Sequence, residues 1–225
     1  QVNYEEALGR NSARVVSCNT TALCRIANAL HRRGWVKKVR AVLLRRATDP
    51  WESHVNGVIN TVLPETRVPS HQGPDARTVI HDLDITTLAA VGPYTLSHYH
   101  CVMIETARAV SEEEVRDALG EEPRIAFVRA DDGIVALNST MELMRDLGRP
   151  RGDMWEVAVW EDALTVDERE VYLSIQVHSE AIVVPETIDC IRALTGLERE
   201  GMASIRKTDA SLGITHYFVP PTVRG

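Results

Sequence analysis

Residues 15–23, Val-Val-Ser-Cys-Asn-Thr-Thr-Ala-Leu, constrain this chain more than any other stretch. Two β-branched residues lead into a cysteine and three small polar residues. Behind them Leu23, Ile26, Ala27 and Leu30 recur at the spacing of one helix face. Serine, asparagine and threonine are helix-capping types, so the pattern predicts strand, tight turn and helix, with Cys18 at or just before the first helical turn. A thiol there meets free backbone N–H groups and the positive end of the helix dipole. Both favour the thiolate, the nucleophilic form. Cysteine is also among the most buried residue types, and an isolated one is more often a small core hydrophobe than a catalyst. The rest of the chain has to decide.

The helix is expected to run to about Arg33, where Gly34 stops it. Residues 36–46 read as a strand in which Val39, Ala41 and Leu43 alternate with Lys38, Arg40 and Val42. It ends in Arg45-Arg46, a pair suited either to a solvated edge or to gripping phosphate or carboxylate with a bidentate fork. Residues 47–77 carry Pro50, Pro64, Pro69 and Pro74 and read as a long excursion poor in helix, closing in Pro69-Ser70-His71-Gln72-Gly73-Pro74-Asp75. Residues 85–91 are apolar, and residues 96–104 have period two, so His98 and His100 share one face of a strand. Such an H-x-H can chelate a metal, but no third ligand stands nearby and no metal is expected. A histidine acting as general base to a distant thiol is the sharper reading.

Ser111-Glu112-Glu113-Glu114 opens a helix to about Leu119, with acids in its first turn. Residues 124–129 read as a strand. Residues 139–147 read as a helix with Met141, Leu143, Met144 and Leu147 as its apolar positions. Residues 155–160 and 170–177 read as antiparallel strands joined through 165–168. Pro185 fits the first turn of a helix over 186–197, and residues from Ser211 onward read as a tail containing Pro220-Pro221. Strands broken by helices, with few regular βαβ units, indicate an α+β fold: a largely antiparallel mixed sheet with helices on one face.

The net charge of −7 and pI of about 5.6 argue against a nucleic-acid partner, which needs a basic field. The four cysteines show no C-x-x-C spacing and suit a reducing, cytoplasmic setting. No apolar run is long enough to span a membrane, and no membrane partner is expected. No G-x-G occurs, so no dinucleotide fingerprint lies in this chain.

Six motifs then fall in one order. They are S-C-N-T-T at 17–21, R-R-A at 45–47, P-S-H at 69–71, T-L-x-H-x-H at 95–100, V-V-P-E-T-I-D-C-I-R-A at 183–193 and S-L-G-I at 211–214. With them the chain resembles the catalytic domain of the archaeal-type (type II) phosphorylating glyceraldehyde-3-phosphate dehydrogenases. The resemblance implies NADP- or NAD-dependent oxidation of glyceraldehyde 3-phosphate to 1,3-bisphosphoglycerate through a cysteine thioester. Inorganic phosphate is the implied co-substrate, a triose phosphate the small-molecule partner, and a homo-oligomer, a tetramer, the assembly. It implies Cys18 as nucleophile and His98 as general base. Ser17, Asn19, Thr20, Arg45, Arg46, His71 and Gln72 would contact substrate or phosphate, and Arg46 and Ser179 the cofactor.

Two departures stand out. Gln72 replaces the second histidine of the family's P-S-H-H loop, and Ser179 replaces the glutamine of its H-Q-E, which lies by the nicotinamide. The family also places a Rossmann domain before S-C-N-T-T. The expectation is therefore a catalytic domain at 1–182, with 183–225 as a helix and tail that would meet an absent cofactor domain. A chain of this kind is expected to show little dehydrogenase activity alone. A different acyl-cysteine semialdehyde dehydrogenase and a non-catalytic oligomerisation module are the alternatives.

Overall fold

The computed structural model describes residues 1–48, 55 and 57–219. Pro50 and the Pro220-Pro221 pair of the expected tail lie outside the described residues. Helix α1 spans Cys18–His31 and is capped by Ser17, whose Oγ accepts the Thr20 N–H at 3.3 Å. Leu23, Ile26, Ala27 and Leu30 are all buried, as their spacing predicts. The helix ends by way of Gly34, whose φ of +69° is open to glycine without strain. The strand expected at Val15-Val16 does not form. Both residues are half-buried irregular chain, and the Val16 carbonyl accepts the Thr21 hydroxyl at 3.5 Å instead of a neighbouring strand's N–H.

Eight strands form one mixed sheet among the described residues. They are β1 Val36–Arg45, β2 Leu63–Pro64, β3 Ile85–Val91, β4 Ser97–Thr106, β5 Ile125–Val128, β6 Val157–Trp160, β7 Thr165–Asp167 and β8 Glu170–His178. Their order is β2-β3-β1-β4-β8-β6-β5, with β7 also on β8. Only β1–β3 and β5–β6 are parallel; every other pairing is antiparallel. Strands β1 and β4 alternate as read: Val39, Ala41, Leu43, Val102 and Ile104 face a core shared with α1, and the opposite face stays partly open. At the β5–β6 end both faces are covered. Ala126, Val128 and Ala158 point into a second core with Met141, Met144 and Phe218, as a parallel pair buried on both sides requires. The helix that supplies those methionines, Leu137–Asp146, adds a layer on the face away from α1. Leu147, read as a core position, lies just past its end and is 47% exposed, and the third buried position beside Met141 and Met144 is Thr140.

Several elements were not visible in the sequence pattern. The excursion at 47–77 contains β2 and a short helix, α2 (Gln72–Arg77), which rests on α1 and β3. The connection expected between the strands at 155–160 and 170–177 is itself a strand, β7, which forms a hairpin with β8. The remaining helices are α3 Glu112–Gly120, α4 Leu137–Asp146, α5 Val184–Thr195 and α6 Gly201–Leu212. Ser111 and Glu114 make the reciprocal capping box at the start of α3.

Helix α6 occupies what reads as the approach to a tail. Its buried positions are Gly201, Ser204, Ile205 and Thr208, three of them small or polar, so hydrophobic periodicity does not announce it. What those positions meet is Asp189 on α5, which accepts the Ser204 and Thr208 hydroxyls at 2.7 Å. Around it lies a buried ion cluster. Arg25 on α1 donates to Glu186 through Nε and Nη2 at 3.0 and 2.6 Å, and to the Trp155 and Ile182 carbonyls. Arg124 reaches Asp189 at 2.6 Å and Asp209 at 2.7 Å. The cluster joins α1, β5, α5 and α6. After Gly213 the chain runs beside β5, where Tyr217 bridges Phe127; there Arg149 pairs twice with buried Glu156, which also accepts the Thr215 N–H.

Candidate functional site

Cys18 opens α1, and its Sγ lies 3.3 Å from Nε2 of His98 on β4. Eighty residues separate the two in sequence. The antiparallel pairing β1–β4–β8 and the burial of α1 on β1 and β8 bring them together. His98 is held from its other side as well: its Nδ1 accepts the backbone N–H of Arg46 at 2.9 Å. That N–H selects the tautomer. With Nδ1 accepting, the proton of the neutral ring sits on Nε2 and faces the sulfur.

Burial favours the uncharged form of both members of the pair. Burial pushes the Cys18 thiol above its ordinary value. The backbone N–H groups of Asn19 and Cys18 and the positive fields of Arg46 and Arg45 pull it down without cancelling that. The helix start therefore acts in the direction expected from the sequence, but desolvation outweighs it. Burial holds His98 well below the usual histidine range, helped by the positive fields of Arg46 and Arg45 and by the charge that His100 and His178 would carry when protonated. Both directions favour a thiol beside a neutral imidazole over an ion pair. The tautomer selected by Arg46 is also a donor toward sulfur, whereas the base expected from the sequence needs a free Nε2.

The other residues singled out in the sequence divide into two groups. Ser17, Asn19 and Thr20 stand at the nucleophile, with their side chains engaged. Ser17 Oγ caps the helix and lies 3.0 Å from Thr20 Oγ1, and Asn19 Oδ1 lies 2.8 Å from His100 Nε2. Thr20 is fully buried. Arg46 follows β1 directly and touches the site through its backbone. Arg45 turns to Glu65, its Nη2 donating at 2.9 Å. His71 stands exposed just before α2, while Gln72 is fully buried with neither amide atom hydrogen-bonded. Ser179 lies beyond the end of β8 and donates its hydroxyl to the Leu96 carbonyl at 2.8 Å.

Three functional candidates escaped the sequence reading. His100 was recognised only as half of an H-x-H. His178 sits beside Ser97 in the β4–β8 register, with Nδ1 accepting the N–H groups of Glu180 and Ala181 and Nε2 buried without a partner. Burial lowers its pKa to about 4, so it too is a neutral donor. Arg25 is the third. One charge among the small and apolar residues from Asn19 to Ala27 was the available signal, since a lone charge on a helix otherwise buried all round implies a buried partner. Among the described residues no group of three His, Cys, Asp or Glu side chains is placed to hold a metal ion, and no helix is long and apolar enough to cross a membrane.

Comparison with known proteins identifies what the chain as a whole is similar to. The family model described as glyceraldehyde 3-phosphate dehydrogenase, C-terminal domain, matches residues 17–163. The glyceraldehyde-3-phosphate dehydrogenase of Methanobacterium bryantii is 43% identical over 213 residues, which cover 94% of this chain and 63% of that protein. Glyceraldehyde-3-phosphate dehydrogenase 1 of Methanosarcina acetivorans is 46% identical over 212 residues, with the same coverage of each. That of Methanococcoides burtonii is 45% identical over 215 residues, covering 95% and 63%. The chain thus spans a little under two thirds of the length of these relatives.

Proposed function

This chain belongs to the glyceraldehyde-3-phosphate dehydrogenase family, and from that premise we propose that it carries the carbon chemistry of a phosphorylating, NAD(P)-dependent oxidation of glyceraldehyde 3-phosphate. The observation that supports the reading best is the contact of Cys18 Sγ with His98 Nε2 at the N-terminus of α1. Once the thiol has lost its proton to solvent, sulfur attacks the aldehyde carbon and the carbonyl oxygen becomes an alkoxide. The Nε2–H of His98 is placed first against the sulfur anion and then against that alkoxide. The alkoxide re-forms its carbonyl as hydride leaves the same carbon, giving a thioester on Cys18, and no proton has to be abstracted in this step. Phosphate then attacks the thioester carbon, and the acyl phosphate departs as sulfur recovers its electron pair. We assign the anionic group to Arg46, whose positive field reaches both Cys18 and His98.

A bound nicotinamide cofactor, NADP or NAD, would supply the hydride acceptor. The residues present suit a polar cofactor edge at one point, the buried and unpartnered Nε2–H of His178, which lies in the electrostatic field of Arg46. Ser179 is less suited, since its hydroxyl is spent on Leu96. We further propose that residues 183–225 meet a cofactor-binding domain. The partly open sheet face, where Leu88 is 46% and Tyr172 39% exposed, is proposed to join copies of this chain into a cytoplasmic homo-tetramer.

Acylation of Cys18 by p-nitrophenyl acetate reads the nucleophile without any cofactor. Reduction of NADP or NAD with glyceraldehyde 3-phosphate and phosphate reads the whole reaction. Cys18→Ser is expected to abolish acylation, and His98→Asn to slow it by ~10²–10³, the usual loss for one aimed donor. Acylation that proceeds unchanged in Cys18→Ser would overturn the assignment.

A further inference from the structure

We propose that His100 is a positioning residue that sets the Cys18–His98 distance through Asn19. The inference rests on Cys18 being the reactive nucleophile. Two consecutive residues of α1 face two alternate residues of β4, and each pair makes one contact: Cys18 Sγ to His98 Nε2 at 3.3 Å, and Asn19 Oδ1 to His100 Nε2 at 2.8 Å. In the first contact Cys18 is partly exposed, while His98 is 4% exposed. The second is sealed, with Asn19 5% and His100 0% exposed, so water cannot replace either partner.

The chemistry of that second contact defines its direction. Asn19 offers its carbonyl oxygen, so His100 donates through Nε2, and its buried Nδ1 is left without a partner. A leucine or valine would fill the position more cheaply, as Val102 and Ile104 do two and four residues on. What an imidazole adds is a fixed axial register between the start of α1 and β4, because a sealed hydrogen bond tolerates little sliding. The His100 ring also stacks on His98, with centroids 6.4 Å apart and planes at 21°, and so supports the ring that contacts sulfur. Thus β4 uses one histidine to meet the thiol and the next to hold the helix carrying it.

The test compares wild type with His100→Leu, Asn19→Ala, the double variant and His100→Gln, whose amide nitrogen stands where Nε2 stood. Cys18 alkylation by iodoacetamide is followed from pH 6 to 10, alongside ring ¹⁵N shifts of His98 and His100. If His100 acts through Asn19, each single loss slows alkylation at pH 8 by about tenfold, the effect of roughly a one-unit shift in the thiol's midpoint. The double variant is then no slower than the singles, and His100→Gln returns to within about threefold of wild type. The His98 shifts move in His100→Leu and Asn19→Ala and recover in His100→Gln. A profile of Asn19→Ala that superimposes on wild type would overturn the proposal. So would a His100→Gln variant that folds yet is as slow as His100→Leu, or a wild-type His100 protonated on Nδ1. If His100→Leu does not fold, Asn19→Ala and His100→Gln decide alone. Failure of the functional reading looks different: Cys18 then reacts no more selectively than Cys101 in the wild type, while the His100–Asn19 bond is still visible in the ¹⁵N spectrum.

Discussion

Replacing Glu186 by glutamine tests whether the buried ion cluster holds the nucleophile's helix in place. Glu186 accepts three guanidinium contacts from Arg25 between 2.6 and 3.0 Å, and Arg124 Nη1 stands 3.5 Å away. Arg25 and Arg124 are 1% and 0% exposed, so neither can turn to water. Burial alone would raise the Glu186 pKa, but the fields of Arg25 and Arg124 outweigh it and hold the pKa at about 2, against an ordinary 4.5. That difference corresponds to ~3 kcal/mol of folding stability. Glutamine keeps the shape but removes the charge, and the expected loss at pH 7 is ~3–5 kcal/mol, the usual result of unpairing a buried ion. The sign of the pH dependence follows from the depressed value. The contribution is complete above the unfolded pKa of 4.5 and is lost as pH falls through about 2. By pH 3 about 2 kcal/mol of it has gone, and the gap between wild type and variant narrows by that amount. Urea unfolding at pH 7, 5, 4 and 3, compared at equal m-value, measures this. Should Glu186→Gln fail to fold at pH 7, Arg25→Met/Glu186→Leu, which removes both charges and keeps the volume, is expected to fold. A loss below ~1 kcal/mol at pH 7, or a gap of constant size from pH 7 to 3, would refute the reasoning.

Because burial raises the Cys18 thiol, its alkylation should climb about tenfold per pH unit through pH 7–9; a rate already on its plateau at pH 7 would mean that the helix dipole and Arg46 prevail over desolvation. Ser111→Ala breaks the capping box of α3 and is expected to cost about 1 kcal/mol, read as a shift in urea midpoint. Gln72→Leu removes a fully buried amide with no hydrogen bond and should leave stability unchanged or raise it by ~1 kcal/mol, whereas a fall of more than ~2 kcal/mol would show that the amide is bonded.

The parts of the fold legible in advance were those where hydrophobicity alone carries the pattern. Helix α1 and strand β1 have apolar faces at regular spacing, β4 alternates buried with partly open residues, and the capping box of α3 is written in four consecutive residues. Legibility failed where polar groups do the packing. Helix α6 meets α5 through Ser204, Thr208 and Asp189, and a reader of apolar spacing finds nothing there. Helix α2 starts at Gln72 in a stretch rich in proline and glycine, held by the Gly73 N–H and the Ser70 hydroxyl on Thr87 Oγ1. At the site, residue identities were legible but directions were not. Nothing in the sequence says that Arg45 turns to Glu65, that the Ser179 hydroxyl is consumed by Leu96, or that a backbone N–H fixes the His98 tautomer. Each of these depends on pairings between segments distant in the chain.

Helix α1 links the two ends of this account. Its first two residues face β4 through Cys18–His98 and Asn19–His100, and seven residues after Cys18, about two turns along, Arg25 locks it to α5, β5 and the chain before β6. A helix pinned only at its start could tilt, and one pinned only at its middle could slide along its axis. Pinned at both, by bonds that water cannot replace, it presents the sulfur at a fixed height above a strand whose own register is set by nine paired residues on β8. A neutral thiol gains nothing from long-range attraction to its histidine, so a rigid approach is what keeps the Nε2–H in reach when the anion forms. The buried charges far from the sulfur and the neutral histidines beside it are therefore two parts of one device. The first holds the helix, and the second lets the site bring a charge into being only at the moment of reaction.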